Sequence, residues 1–352
     1  MTTIAAVVGG LILLILGGEW LVRGAEKLAL SFRVSPLVIG LTVVAFGTSA
    51  PELAVTTQAA FRGTDVGVGN VIGSNIFNIL AILGLAAAVA PLAVSSLLIR
   101  RDVPIMIAMS LLIYAACWDG TFSRWEGMTA FTLLVGYSWW LIRQCRKEPP
   151  AATDSPVETA VLRPWYHHLA LIVFGLVLLV FGARFLVSGA VDIARMLGAT
   201  ELIIGLTIVA AGTSLPEVIT SVVASIRGQR DIAVGNIVGS NIFNLLCVMG
   251  LAASVSPQAI PISEQALWFD FPVMIAVSLV CLPIFFDGVI ARWEGFLFLA
   301  YYVAYVTYLI LDQTGSVWRA DFSHAMLYFC IPLTLLTLLV LAFRKLPDRA
   351  TP

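Results

Sequence analysis

The chain has 352 residues, 60% of them hydrophobic and 12% charged, with a net charge of −1. Ordinary soluble domains are about 45–50% apolar and about 25% charged, so a water-soluble globule is excluded, and with it a soluble enzyme, a nucleic-acid binder and a disordered linker. The balanced charge gives no electrostatic argument for an acidic or basic partner; what remains is an all-α polytopic protein whose first partner is the lipid bilayer.

A bilayer core about 30 Å thick needs roughly 20 mostly apolar residues per helix. Runs of that kind recur at 4–22, 36–60, 67–89, 103–118, 125–142, 168–190, 201–226, 233–255, 271–286, 293–311 and 324–343. The fourth and ninth are short. Tryptophans from Trp20 to Trp318 punctuate the run ends, as an aromatic belt requires. The first run has no basic flank and no Ala-x-Ala site, so it reads as a retained helix. With the N-terminus outside, 15 Lys and Arg fall on inward connections, and only Arg62, Arg124, Arg195 and Arg319 fall outside. This positive-inside bias predicts N-terminus out and C-terminus in if all eleven runs span. The polar stretch 144–166, with three prolines before Arg163, reads as a cytoplasmic linker.

The cysteines (Cys117, Cys145, Cys247, Cys281, Cys330) are scattered, and His167, His168 and His324 lie near segment ends. No disulfide and no Cys- or His-ligated metal is expected.

The two sides of the linker are copies of each other. GLTVVAFGTSAPE (40–52) matches GLTIVAAGTSLPE (205–217) at 10 of 13 positions, and GNVIGSNIFN (69–78) matches GNIVGSNIFN (235–244) at 8 of 10. Arg124-Trp125-Glu126-Gly127 recurs as Arg292-Trp293-Glu294-Gly295. Each copy holds five spans. Five is odd, so the second copy enters from the opposite side, the inverted-topology repeat of secondary transporters. The predicted organisation is a five-helix repeat over 1–143, a linker at 144–167, an inverted repeat over 168–311, and an additional hydrophobic segment and tail at 312–352. That gives ten core helices and one extra helix.

One carboxylate lies deep in each copy of the first motif, Glu52 and Glu217. A charge at mid-membrane costs about 2.5–3.5 kcal/mol on insertion scales, so it faces the protein interior or a wet cavity. A lone neutral Glu bonded to a neighbouring helix would be the bland alternative; the same Glu in the same motif twice argues against it. Pro51 and Pro216 have no N–H for the carbonyls of Gly47 and Gly212, so each helix is expected to break there and free backbone oxygens. Thr48 and Ser49 share a helical face with Glu52, and Thr213 and Ser214 share one with Glu217. In the second motif Asn70, Ser74 and Asn78 form a polar stripe, matched by Asn236, Ser240 and Asn244. Gly69/Gly73 and Gly235/Gly239 form GxxxG pairs, for which close helix packing is the favoured reading.

All these donors are hard oxygens. Ca2+ takes six to eight of them, whereas soft metals want thiolate or imidazole. Two Glu neutralise one Ca2+ or two Na+. A site that holds either ion, but not both, is the minimal design for exchange.

The paired GTS-x-PE and GN-x-x-GSN-x-FN motifs resemble the two α-repeats of the calcium/cation antiporter superfamily, in particular the prokaryotic sodium/calcium exchangers. The resemblance covers roughly residues 4–311. It implies a multi-pass protein of a prokaryotic plasma (inner) membrane, ion sites at the bilayer centre between the second, third, seventh and eighth helices, and sliding of the first and sixth helices across the rest. By motif position the ion ligands would be Thr48, Ser49, Glu52, Ser74, Asn78, Thr213, Ser214, Glu217, Ser240 and Asn244. Family members often carry Asp at the end of one GSN-x-FN motif; here both ends, Asn78 and Asn244, are amides, one titratable group fewer.

The expected activity is exchange of Ca2+ for Na+ by alternating access, with no cofactor and no catalysis. Exchange of Ca2+ or another cation for H+ on the same scaffold stays open, since a proton can also neutralise a buried carboxyl. A cation channel usually builds its filter from several subunits, whereas this chain completes a two-fold site by itself. A membrane hydrolase would need a Ser–His pair that is not apparent. Oligomeric state is not legible.

Overall fold

Lipid offers no partner to backbone polar groups, so apolar runs of this length must fold as helices. The computed structural model describes residues 2–32, 34–145, 164–198, 204, 208 and 210–344. The expected linker, and much of the run expected from residue 201, lie outside the described residues. The first half is built from α1 (Thr2–Phe32), α2 (Pro36–Thr48), α3 (Ala50–Phe61), α4 (Val66–Val89), α5 (Leu98–Asp119) and α6 (Arg124–Cys145). The second half contains α7 (Trp165–Met196), a turn of helix at Ala210–Gly212, α8 (Leu215–Ile226), α9 (Arg230–Val255), α10 (Ala266–Phe285) and α11 (Arg292–Gln313). A final helix, α12, covers 319–344. Among the described residues seven helices are long and apolar enough to cross a membrane, and the α2/α3 pair makes an eighth.

Prolines shape these helices in two ways. Pro51 and Pro216 sit in the first turns of α3 and α8, where a missing N–H costs nothing. The α2/α3 span accordingly bends by 47° at Ser49. Pro104, Pro272 and Pro332 each follow a widened turn, at Leu98–Asp102, Ala266–Asp270 and Met326–Cys330. Widening relieves the clash between the ring and the carbonyl four residues back. It also lets α5 and α10 begin about a turn before their apolar runs, which is why those runs looked short.

The halves interlock through matched contacts. Four two-residue strands, β1 (Leu92–Ala93), β2 (Thr121–Phe122), β3 (Ile260–Pro261) and β4 (Val289–Ile290), pair β1 with β4 and β2 with β3, always across the halves. Paired loops must lie on the same side of the bilayer, and the inverted repeat puts each pair there. α1 runs against α7 through glycines seven residues apart, at 10, 17 and 24 on one and 175, 182 and 189 on the other. A Cβ on Gly17 would stand 2.8 Å from the Gly175 carbonyl oxygen, and one on Gly182 2.9 Å from that of Gly10. α12 lies against α11, where the Tyr301 hydroxyl donates to Thr334 Oγ1 at 2.6 Å.

The symmetry is broken where α1 meets α8. α1 rests on α8, with Gly18 against Ile219, and Glu19 pairs with both Arg23 and Arg227. The 165-residue repeat offset maps that face of α8 onto α3, where Ala50, Leu53, Ala54, Thr57, Gln58, Phe61 and Arg62 line an open groove of about 550 Å³. At the GxxxG pairs, added Cβ atoms at Gly235 and Gly239 would lie 2.9 Å and 2.8 Å from backbone atoms of α2, whereas at Gly69 and Gly73 they would meet nothing within 4 Å among the described residues. The close-packing expectation therefore holds for α9; for α4 the segment that the repeat would set against it, 201–209, lies mostly outside the described residues.

Gly17→Val should destabilise the protein by about 1–3 kcal/mol through overpacking against backbone, seen as a lower thermal midpoint in detergent. Gly136→Ala, inside α6 where an added Cβ meets nothing within 4 Å, should not lower the midpoint and should raise it slightly, by the helix-propensity gain of about 0.5–1 kcal/mol.

Candidate ion site

The breaks at Ser49 and Ser214 place the two GTS-x-PE motifs face to face in the bundle. Glu52 and Glu217 are each 1% exposed although both are carboxylates. Their partners are crossed: Ser214 Oγ donates to Glu52 Oε1 at 2.9 Å, and Ser49 Oγ donates to Glu217 Oε1 at 3.4 Å. Each acid is thus held by the serine that precedes the other acid by three positions. Ser214 Oγ also reaches Ser74 Oγ at 3.5 Å, which brings α4 into the cluster. On the mirrored side Thr48 Oγ1 donates to Asn236 Oδ1 at 3.2 Å and lies 3.5 Å from Ser240 Oγ. Thr48, Ser49, Ser74, Ser214, Ser240, Asn78 and Asn244 are all buried.

Asn78 and Asn244 each open a widened turn, Asn78–Leu83 and Asn244–Val248, with no proline following. Such turns re-aim side chains and recur at functional sites. Asn78 Nδ2 donates to Asn241 Oδ1 at 2.9 Å, and Asn244 Nδ2 donates to Asn75 Oδ1 at 3.2 Å. Sequence reading missed Asn75 and Asn241. Both stand in the duplicated GSN triplet, but beside the stripe of Asn70, Ser74 and Asn78 rather than in it. Asn70 and Asn236, which are on the stripe, turn to Thr56 Oγ1 at 3.1 Å and Ser221 Oγ at 3.0 Å. They brace the helices that carry the acids.

Among the described residues of these motifs, five buried oxygens have no hydrogen-bond partner: Glu52 Oε2, Glu217 Oε2, Asn78 Oδ1, Asn244 Oδ1 and Thr213 Oγ1. Buried polar atoms are nearly always paired, because leaving one unpaired costs about 1–3 kcal/mol and more if it is charged. A set that is all oxygen, with two carboxylates and no thiolate or imidazole, suits a hard cation. Among the described residues no group of three or more His, Cys, Asp and Glu could hold a metal ion; the acids in these motifs are Glu52 and Glu217.

A bundle of inverted repeats with such oxygens at its centre is the architecture of a cation/calcium antiporter. The sodium/calcium exchanger protein family model matches residues 2–143 and 167–311, and the chain belongs to this family. Its members are transporters, not catalysts; they bind inorganic cations and sit in a membrane. The sodium/calcium exchanger MaX1 of Methanosarcina acetivorans is 32% identical over 338 residues, spanning 85% of this chain and 96% of that protein. The inner membrane protein YrbG of Escherichia coli (strain K12) is 37% identical over 282 residues, spanning 78% and 86%. A structure of the sodium-calcium exchanger NCX_Mj superposes with a TM-score of 0.75 at 31% identity, covering 87% of this chain and 98% of the other. The matched segments leave out the expected linker.

A hydrogen bond to a charged acceptor contributes about 1.5–3 kcal/mol. Ser214→Ala, which removes the shorter of the two crossed bonds, should weaken ⁴⁵Ca2+ binding by about tenfold or more. Ser49→Ala should have the smaller effect, read by equilibrium binding to purified protein.

Proposed function

We propose that the chain exchanges Ca2+ for Na+ across a prokaryotic plasma (inner) membrane by alternating access, the two ions taking turns in one midplane site. The ligands are Thr48, Ser49, Glu52, Ser74, Asn78, Thr213, Ser214, Glu217, Ser240 and Asn244. Gly47, Pro51, Gly212 and Pro216 break the helices so that backbone oxygens can join. The observation that carries this reading is the set of five buried oxygens with no donor. Two of them belong to acids whose combined charge balances one Ca2+ or two Na+. The functional units are the repeats 1–143 and 168–311, joined by a cytoplasmic linker, with the N-terminus outside and 312–352 as a peripheral addition.

Access from one side at a time is supported by the broken symmetry. α1 is seated on α8 and held by the Glu19–Arg227 pair, whereas the matching face of α3 is an open groove whose lining residues Ala50 and Leu53 flank Glu52 in sequence. The repeat offset turns Glu19 into Arg184 and Arg227 into Arg62. Seating α7 on α3 would therefore oppose like charges where the present arrangement has an ion pair, which favours the arrangement with α8 covered.

Vesicles containing the purified protein and loaded with Na+ should take up ⁴⁵Ca2+ when outside Na+ is removed. Glu52→Gln and Glu217→Gln should each abolish uptake while elution of the protein stays monodisperse. Uptake driven by a pH gradient alone would assign H+ as the coupling ion, and undiminished exchange in either variant would remove the site. Arg227→Glu should raise labelling of a cysteine placed at Val223, beneath Gly18, by a membrane-impermeant thiol reagent. Unchanged labelling would show that the pair holds nothing shut.

A further inference from the structure

We propose that Asn75 and Asn241 are positioning residues that fix which end of the Asn78 and Asn244 amides faces the transported cation. The inference rests on the ion site proposed above and deepens it.

A carboxamide has two ends of nearly equal size and opposite polarity. Only its oxygen can ligate a cation; its NH2 would turn partial positive charge towards one. A bare Asn ligand is therefore ambiguous in a way that Asp is not, and this chain uses Asn at both positions. Four buried amides resolve the ambiguity. Asn78 Nδ2 is tied to Asn241 Oδ1 at 2.9 Å, and Asn244 Nδ2 to Asn75 Oδ1 at 3.2 Å. Both Oδ1 atoms are left buried without a donor.

The braces are fixed in their turn. Asn241 Nδ2 donates to the Asn75 carbonyl at 3.3 Å and faces Met106 Sδ at 3.6 Å. Asn75 Nδ2 donates to the Asn241 carbonyl at 3.3 Å and faces Met274 Sδ at 3.5 Å. A carbonyl oxygen and a thioether only accept. Flipping either brace would set oxygen against oxygen and sulfur, and NH2 against NH2. Orientation thus passes from the backbone and the two methionines to the braces, and from the braces to the ligands. Each brace serves the ligand of the opposite half. Asn75, Asn78, Asn241 and Asn244 are each 1% exposed, so water does not compete for these bonds.

The test uses full-length protein in vesicles and measures Na+-driven ⁴⁵Ca2+ uptake against Ca2+ concentration. Asn241→Leu keeps the volume and removes both ends of the brace. It should raise the half-saturating Ca2+ concentration about tenfold, the loss of roughly one ligand hydrogen-bond equivalent, while the maximal rate changes by less than about twofold. Aspartate presents oxygen from either end, so Asn78→Asp added to Asn241→Leu should restore affinity to within about threefold of wild type. Asn78→Asp alone, facing the Asn241 oxygen, should bind more weakly than that double variant. A merely structural role for Asn241 would not be rescued by adding a charge at position 78.

Should Asn241→Leu fail to insert, the mirrored set Asn75→Leu with Asn244→Asp carries the same test. Unchanged affinity in Asn241→Leu, or losses that multiply in the double variant, would overturn the proposal. Asn78→Leu separates the two levels. If it leaves Ca2+ exchange intact, the ion site itself is wrong; if it abolishes exchange while Asn241→Leu is silent, only the bracing role fails.

Discussion

The crossed hydrogen bonds Ser214–Glu52 and Ser49–Glu217 are the constraint on which the rest of the structure depends. A buried carboxylate is tolerable only if something compensates it, and removing one partner of a buried charge is strongly destabilising. Neither half compensates its own acid. Each supplies the hydroxyl for the other, so the site exists only when the two inverted copies close on each other. The cross-half strand pairs β1–β4 and β2–β3 and the shared amide ladder enforce that closure away from the acids.

The scaffold is closely packed around the facing motifs and asymmetric beside them. α9 is buried along its length, with Asn236, Ser240 and Asn244 inside it. α4 carries the same motif, and Gly69 and Gly73 meet nothing within 4 Å among the described residues. α1 and α7 meet closely at glycine backbones, with side chains such as Trp20 and Phe174 stacked between them.

Much of this is legible in the sequence. The apolar runs give the helices, and the duplicated motifs give the inverted repeat and both acids. Pro51 and Pro216 give the breaks, because a missing N–H acts locally. The contacts that escape are those in which residue type does not reveal direction. Asn75 stands three residues before Asn78, a spacing that puts it near the polar stripe, but residue type does not say which helix it reaches; only the fold shows it crossing to Asn244. The glycines at 10, 17 and 24 form a seam only once α7 is seen against them. The helix starts at Leu98 and Ala266 were hidden because Arg100, Arg101 and Asp102, or Asp270, interrupt the hydropathy while the widened turn continues the helix. The Glu19–Arg227 pair joins residues 208 positions apart, and no local pattern announces it.

The central claim is that one oxygen cage at the junction of the halves serves both ions. Equilibrium binding of ⁴⁵Ca2+ to the purified protein across a Na+ titration tests it most directly. The account predicts that saturating Na+ displaces the bound Ca2+ completely and that added Ca2+ reverses the displacement. Ca2+ that stays bound at saturating Na+ would place the ions in separate sites and contradict it.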